Sequence, residues 1–422
     1  MSSPTATPDA NPRFEPMTSF GPVPEGWLWG TATAAHQIEG GNTNNDWWAW
    51  EHTPGSGTQE SSGDATDSWN RWREDHQLVK DLGLDAYRFS IEWSRIEPAQ
   101  GEFSIAALNH YRELMTAAHE LGLKNSVTFH HFTTPIWAAA QGGWLNPEIV
   151  EWFTAFVEHA TAHLGDLIDI AATFNEPNVV VLAGYLGGNF PPGHHNDVEA
   201  AAVATANIVA AHKHAVPVLK AGPGEFPVGL TLAIPDMVIH PDGDPNSDGI
   251  RLTEVPTEGP EAQMYSIWLG AYLEAARDDD YMGVQTYFTQ HLGPDFQDLP
   301  TPADWRVTQM DWTFTPEALG SSVRLASRLT GVPVIVTENG VATTDDAERI
   351  EYYSRALASL RHAMDDGVDV RGFFAWSLLD NFEWAEGYRP LFGLVAVDRE
   401  TFQRTPKPSA AWYAGVVASS HT

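Results

Sequence analysis

Apolar and polar positions along the chain repeat one unit: a short β-rich run, a loop, then a segment with helical spacing. Eight runs predict strands: WLWGTATAA (27–35), LDAYRFSI (84–91), LKNSVTFHH (123–131), DIAATFNE (169–176), VGLTLAI (228–234), MGVQTYF (282–288), PVIVTE (333–338) and VRGFFAWS (370–377). Several are almost continuously apolar, as strands covered on both faces must be. Between them, DSWNRWREDHQLVKDLG predicts a helix capped by Asp67 and stopped at Gly83. Further helices are expected to begin near Ile105, Glu148, Val198, Glu261, Pro316 and Asp345, and PSAAWYAGVVASS closes the chain.

Strand alternating with helix eight times predicts an α/β fold, a single (β/α)8 TIM barrel. An open doubly wound sheet wants a glycine-rich phosphate turn after its first strand, and WGTATAAHQIEGG is not one. No linker divides the chain, and the Pro/Gly/Asp-rich stretch 235–260 reads as a long loop. Residues 26–422 are therefore expected to form one catalytic barrel. Residues 1–25, polar and rich in Pro and Ser, are expected to form a disordered tail.

Composition narrows the function. The 422 residues contain 23 basic and 56 acidic side chains, a net charge of −33, so nucleic acid and anionic membranes are poor partners. Zero cysteines exclude disulfides, thiolate metal sites and a cysteine nucleophile. The N-terminus has neither the basic nor the apolar region of a Sec signal, no run of about 18 apolar residues is present, and a cytoplasmic location is expected. Oligomeric state is left open.

The C-terminal strand ends of a barrel carry its chemistry. Here they hold His36, Gln37 and Glu39; Arg88; His130 and His131; Asn175 and Glu176; Gln285 and Tyr287; Glu338 and Asn339; and Trp376 followed by LLDNFEWAEGY. Glu176 and Glu338 end non-adjacent strands of one ring and can face each other across its mouth. Two carboxyls so placed fit a retaining glycosidase, one attacking the anomeric carbon and the other donating a proton. A pair of solvated loop glutamates is the competing explanation, made less economical by their shared placement.

TFNEP and VTENG at this spacing, with LWGTATAAHQIEGG, YRFSIEWSRI and WSLLDNFEWAEGYRPLFGLVAVD in the same order, resemble glycoside hydrolase family 1, the β-glucosidase family, from about Trp27 to Tyr413. The resemblance implies that Glu176 is the acid/base and Glu338 the nucleophile. It implies that Asn175 holds the sugar C2 hydroxyl and that Gln37, His131, Glu383 and Trp384 bind glycone hydroxyls. Trp376 then lies beneath the sugar ring, Tyr287 and Arg88 orient the nucleophile, and Trp305 lies on the leaving-group side. Arg88 is expected to hold the Glu338 pKa down. Two positions depart from the family pattern. Gln285 stands where an Asn is usual, and HHFTTP replaces a His-Trp pair, with His131 matching the sugar ligand when counted back from Pro135. The expected substrates are small β-glycosides or cello-oligosaccharides with a neutral glycone (glucose, galactose or fucose), and no cofactor or metal is expected.

Other signals carry less. His194, His195, His212 and His214 lack metal-ligand spacing, DGDPNSDG (242–249) lacks the glutamate of a calcium loop, and NNDWWAWE (44–51) reads mainly as packing. The competing functional classes are a sugar-binding barrel without catalysis and a metal-dependent hydrolase.

Overall fold

The computed structural model describes residues 14–253 and 264–420. Eight parallel strands close into a barrel in chain order. They are β1 (Leu28–Ala32), β2 (Ala86–Ser90), β3 (Lys124–His130), β4 (Ile170–Asn175), β5 (Val228–Ala233), β6 (Tyr281–Gln285), β7 (Val334–Asn339) and β8 (Val370–Trp376). All eight expected strand runs are therefore strands. Closure is made by β1 against β8, with Leu28 opposite Gly372 and Ala32 opposite Trp376. Gly372 and Gly30 are needed there: a Cβ on Gly30 would lie 2.4 Å from the Phe374 ring.

The expected helices are α1 (Ser68–Asp81), α2 (Ile105–Glu120), α3 (Ile149–Leu164), α4 (Val198–Ala221), α5 (Ala318–Thr330), α6 (Asp346–Asp365) and α7 (Pro408–Ser420). The start expected near Glu261 lies outside the described residues, and helical turns follow it at Ser266–Gly270 and Ala271–Ala275. Each helix buries one stripe on the barrel. In α3, Trp152, Phe153, Phe156, Val157, Ala160 and Leu164 face inward, the i, i+3/i+4 spacing of an amphipathic helix.

Three expectations change. Asp67 precedes α1 but does not cap it. Its backbone is left-handed (φ 56°), and its carboxylate is taken by Asn70 Nδ2 at 2.7 Å and Arg71 Nε at 3.0 Å. The stretch expected to loop over 235–260 contains strands Asp236–Ile239 and Ile250–Arg251, which form a small sheet with Thr289–Leu292; residues 254–260 lie outside the described set. The expected tail is only partly testable, because residues 1–13 also lie outside it. From residue 14 onward the chain docks: Phe20 is 3% exposed and packs edge-on to Trp29 at 5.1 Å. Met17 ties the segment down through Ser354 Oγ at 2.6 Å and Trp412 Nε1 at 2.8 Å. One buried aromatic in a proline-rich run was too weak a signal to read as ordered.

Candidate active site

The strands deliver their side chains to one cavity of about 450 Å³ at the C-terminal mouth of the barrel. The two strands that end in carboxylates are both irregular just before them. β4 shifts register against β5 between Ala172 and Asn175, and β7 shifts against β6 between Val336 and Glu338. Such bulges re-aim the next side chain and are over-represented beside active sites. Glu176 is further turned by a left-handed backbone (φ 41°, ψ 54°), with Pro177 starting a short helix after it. Its amide is held by Thr231 O at 2.8 Å. Phe132 (φ 70°) and Trp384 (φ 51°) line the same cavity with positive φ, a strain of about 1–3 kcal/mol each that the surrounding packing must offset.

Glu338 is 3% exposed and Glu176 9%, but they are solvated by the protein very differently. Arg88 Nη1 reaches Glu338 Oε1 at 2.5 Å, and the Tyr287 hydroxyl donates to Oε2 at 2.6 Å. Tyr287 is itself positioned by Tyr352, whose hydroxyl donates to its carbonyl at 2.7 Å. The carboxyl of Glu176 has no comparable donor among the described residues. Burial raises the Glu176 pKa well above the ordinary glutamate range, and the charges of Glu338 and Glu383 add to it while Arg88 opposes them. Burial also raises the pKa of Glu338, against Arg88 and the hydrogen bonds from Tyr287, Arg88 and Gln285. The expectation that Arg88 holds the Glu338 pKa down is thus corrected: Arg88 does lower it, but desolvation outweighs that. The order is nevertheless clear from the geometry. Charge-assisted donors converge on Glu338, so a proton on the pair resides on Glu176 and the anion on Glu338.

Gln285, despite its extra methylene, fits this network. Its Nε2 donates to Asn175 Oδ1 at 2.8 Å, beside Arg88 Nη2 at 2.5 Å. With these donors and Thr231 Oγ1 at 3.3 Å on Oδ1, the Asn175 amide is fixed so that Nδ2 is its donor.

Gln37, His131, Glu383, Trp376 and Trp384 line the same cavity. Gln37 Nε2 donates to Phe382 O at 2.8 Å, while Gln37 Oε1 and His131 Nδ1 are buried without a partner among the described residues. Buried polar atoms rarely stay unpaired, and both residues line a space of sugar size. His131 is neutral, its pKa pushed far down by burial and by Arg88. His130 instead points between barrel and helices, against Trp144 and Phe174 at 5.2 Å each, so of the two adjacent histidines His131 is the one that lines the cavity. Glu383 is pushed up to about 8, first by burial and then by Glu338 and Glu386. Trp384 is wedged against Trp47 at 4.7 Å and stacked on His36 at 5.6 Å.

One expected residue is displaced. Trp305 lies outside this cavity, in a neighbouring one of about 230 Å³, and donates to Asn246 Oδ1 at 3.2 Å. Trp268, Phe288, Met310 and Trp312 form the outer wall instead. Trp268 sits on the helical turn Ser266–Gly270 and the others in or beside loops with no periodic pattern; the isolated aromatic cluster MDWTF was the only trace of Trp312 in the sequence. Among the described residues, no group of three His, Asp or Glu side chains is placed to hold a metal ion.

The arrangement can deliver one proton and one carboxylate to opposite sides of a bond in a cavity of sugar size. The profile described as glycosyl hydrolase family 1 matches residues 20–272 and 279–422. Beta-glucosidase A of Thermotoga maritima is 34% identical over 440 residues, covering 94% of this chain and 98% of its own. A crystallised beta-glycosidase is 41% identical with a TM-score of 0.84, covering 95% of this chain and 98% of its own. The Thermotoga maritima beta-glucosidase in complex with deoxynojirimycin is 31% identical, with a TM-score of 0.84 and coverage of 95% and 99%.

Proposed function

The chain belongs to glycosyl hydrolase family 1, and from that premise we propose a residue-by-residue mechanism for it. It is a glycoside hydrolase of the β-glucosidase type that removes terminal non-reducing β-D-glycosyl residues with retention. Glu338 attacks the anomeric carbon while Glu176 gives its proton to the glycosidic oxygen, so the aglycone leaves as a neutral alcohol. The glycosyl ester on Glu338 has lost the carboxylate charge. Glu176, now without that neighbour, becomes more acidic. It takes a proton from water, whose oxygen attacks the same carbon and frees Glu338.

The observation that carries this reading is the asymmetry between two buried carboxyls in one cavity: Arg88 and Tyr287 donate to Glu338, and no described side chain donates to Glu176. Asn175 Nδ2 is assigned to the C2 hydroxyl, and Gln37, His131, Glu383 and Trp384 to the other glycone hydroxyls, over the Trp376 ring. Arg88 and Tyr287 orient the nucleophile. Glu383, pushed up to about 8, offers its carboxyl to a glycone hydroxyl, and it suits a neutral glucose, galactose or fucose. Residues 26–422 act as one catalytic unit on small β-glycosides, cello-oligosaccharides among them, and a cytoplasmic site of action completes the reading. Among the described residues no helix is long and apolar enough to cross a membrane.

The test is proton NMR of an aryl β-D-glucoside during turnover. β-Glucose must appear before mutarotation. First release of the α-anomer contradicts double displacement, and no release from glucoside, galactoside or fucoside favours a sugar-binding barrel.

A further inference from the structure

His212 has no metal-ligand spacing, yet it is buried and engaged at both ring nitrogens. It stands on α4 and is 2% exposed. Its Nδ1 lies 2.8 Å from Thr173 Oγ1 on β4, and its Nε2 lies 3.3 Å from Asp279 Oδ1, just before β6. Thr, His and Asp in a row suggest a nucleophile, but Thr173 is wholly buried and reaches no substrate. Its place in β4 suggests another role.

Thr173 sits at the irregularity that precedes Glu176. Ala171 N donates to Pro227 O at 3.0 Å, and Glu176 N donates to Thr231 O at 2.8 Å. Five steps along β4, from Ala171 to Glu176, therefore pass four along β5, from Pro227 to Thr231, so β4 holds one extra residue. Side-chain direction shows where. Ile170 joins Ala86, Tyr281, Ile335 and Phe374, from around the ring, in the inner core of the barrel. Thr173 and Phe174 are consecutive, yet both face the helix layer: Thr173 meets His212 of α4, and Phe174 packs on Phe153 of α3 at 4.6 Å. Asn175 then turns inward to Arg88 and Gln285. In a regular strand the faces alternate, so Asn175 would share the outer face with Thr173 and Glu176 would take the inward place. Phe174 is held outward by aromatic packing. Thr173 is held by His212, since its other partner, Gly229 O, is 3.4 Å away, beyond the usual O–H···O range.

Resting on the glycosidase reading above, we propose that His212 is a positioning residue for catalysis. It keeps Thr173 on the helix side, and with it the extra residue of β4 that aims Asn175 at the C2 hydroxyl and Glu176 at the glycosidic oxygen. The bonds made and broken are unchanged, because His212 touches neither substrate nor reacting atoms.

The test measures kcat/KM on phenyl and 2,4-dinitrophenyl β-D-glucosides for wild type, His212→Leu, His212→Asn and Thr173→Val. Phenoxide needs the Glu176 proton to leave and 2,4-dinitrophenoxide does not, so the ratio of the two values reports the aim of Glu176 and not the amount of folded enzyme. The expected ratio of phenyl to dinitrophenyl values is about tenfold or more below wild type in His212→Leu and in Thr173→Val. His212→Asn, whose amide stands near the place of Nδ1, is expected to recover most of it. The double variant His212→Leu/Thr173→Val is expected to lose no more than the worse single variant, because both remove one contact. If His212→Leu does not fold, Thr173→Val, which deletes a hydroxyl at nearly constant volume, decides alone. An unchanged ratio in the folded variants, whatever happens to their denaturation midpoints, overturns the positioning role and leaves His212 as core packing. A His212→Asn no better than His212→Leu, or losses that add in the double variant, overturn the route through Thr173. A wild type that cleaves neither glucoside overturns the β-glucosidase reading itself, and this inference with it.

Discussion

Two glutamates of identical chemistry are made different by what donates to them. Glu338 has Arg88 and Tyr287. Glu176 has a buried wall and two neighbouring carboxyls. The sign of the pH dependence follows. Glu338 must be ionised, so activity falls as pH drops through its pKa; Glu176 must be protonated, so activity falls as pH rises through its raised one. The expected kcat/KM profile is bell-shaped. Glu176→Gln, measured on a 2,4-dinitrophenyl glucoside that leaves without protonation, should keep the acid limb and lose the alkaline one, while kcat drops about 10²–10⁴-fold because the ester waits for a base. An alkaline limb that survives in this variant would assign it to Glu383, which is itself pushed up to about 8. At this scale much of the site was legible in the sequence. Glu176, Glu338, Asn175, Arg88, Tyr287 and Gln285 stand on or at the end of barrel strands, where the geometry converges, and the structure joins the last five in one hydrogen-bond network beside Glu176. Trp268 and Trp312 were not legible: Trp312 lies in a loop without periodicity, an aromatic on a helical turn such as Trp268 reads as packing, and nothing ties either to the ring.

The elements explain why the strand runs were so readable. Parallel strands covered by helices are apolar on both faces, so each stands out as a dense run. What escaped were elements without that cover. Asp236–Ile239 and Thr289–Leu292 pair in a peripheral sheet whose surroundings are rich in Pro, Gly and Asp. The N-terminal segment escaped for a related reason, since Phe20 is the one buried side chain among residues 14–25. Phe20 sits among Trp27, Trp29 and the Arg361 guanidinium, on strand β1 far from its carboxyl end. Phe20→Ala should lower stability by about 3–5 kcal/mol, the usual cost of emptying such a site, visible as a lower denaturation midpoint with kcat unchanged. An unchanged midpoint would show that the segment only rests against the barrel.

At the scale of the whole molecule, closure is what creates the site. Arg88 and Glu338 are 250 residues apart in sequence, and neither is useful without the ring that sets them face to face. The net charge of −33 is spread over a surface with many arginine–carboxylate pairs, such as Arg112–Asp166 and Arg355–Glu317. Exposed pairs of this kind contribute little each, so that charge bears on solubility and partners rather than on the fold. The central claim is covalent: a glycosyl ester forms on Glu338 and nowhere else. Its most direct measurement is peptide mass spectrometry after incubation with 2-deoxy-2-fluoro-β-D-glucosyl fluoride, whose ester forms readily and hydrolyses slowly. The account predicts one added fluoroglucosyl group on the peptide carrying Val334–Asn339, fragmenting to Glu338, and none in Glu338→Gln. Label on Glu176 or Glu383, or an active enzyme that takes up no label, would contradict it.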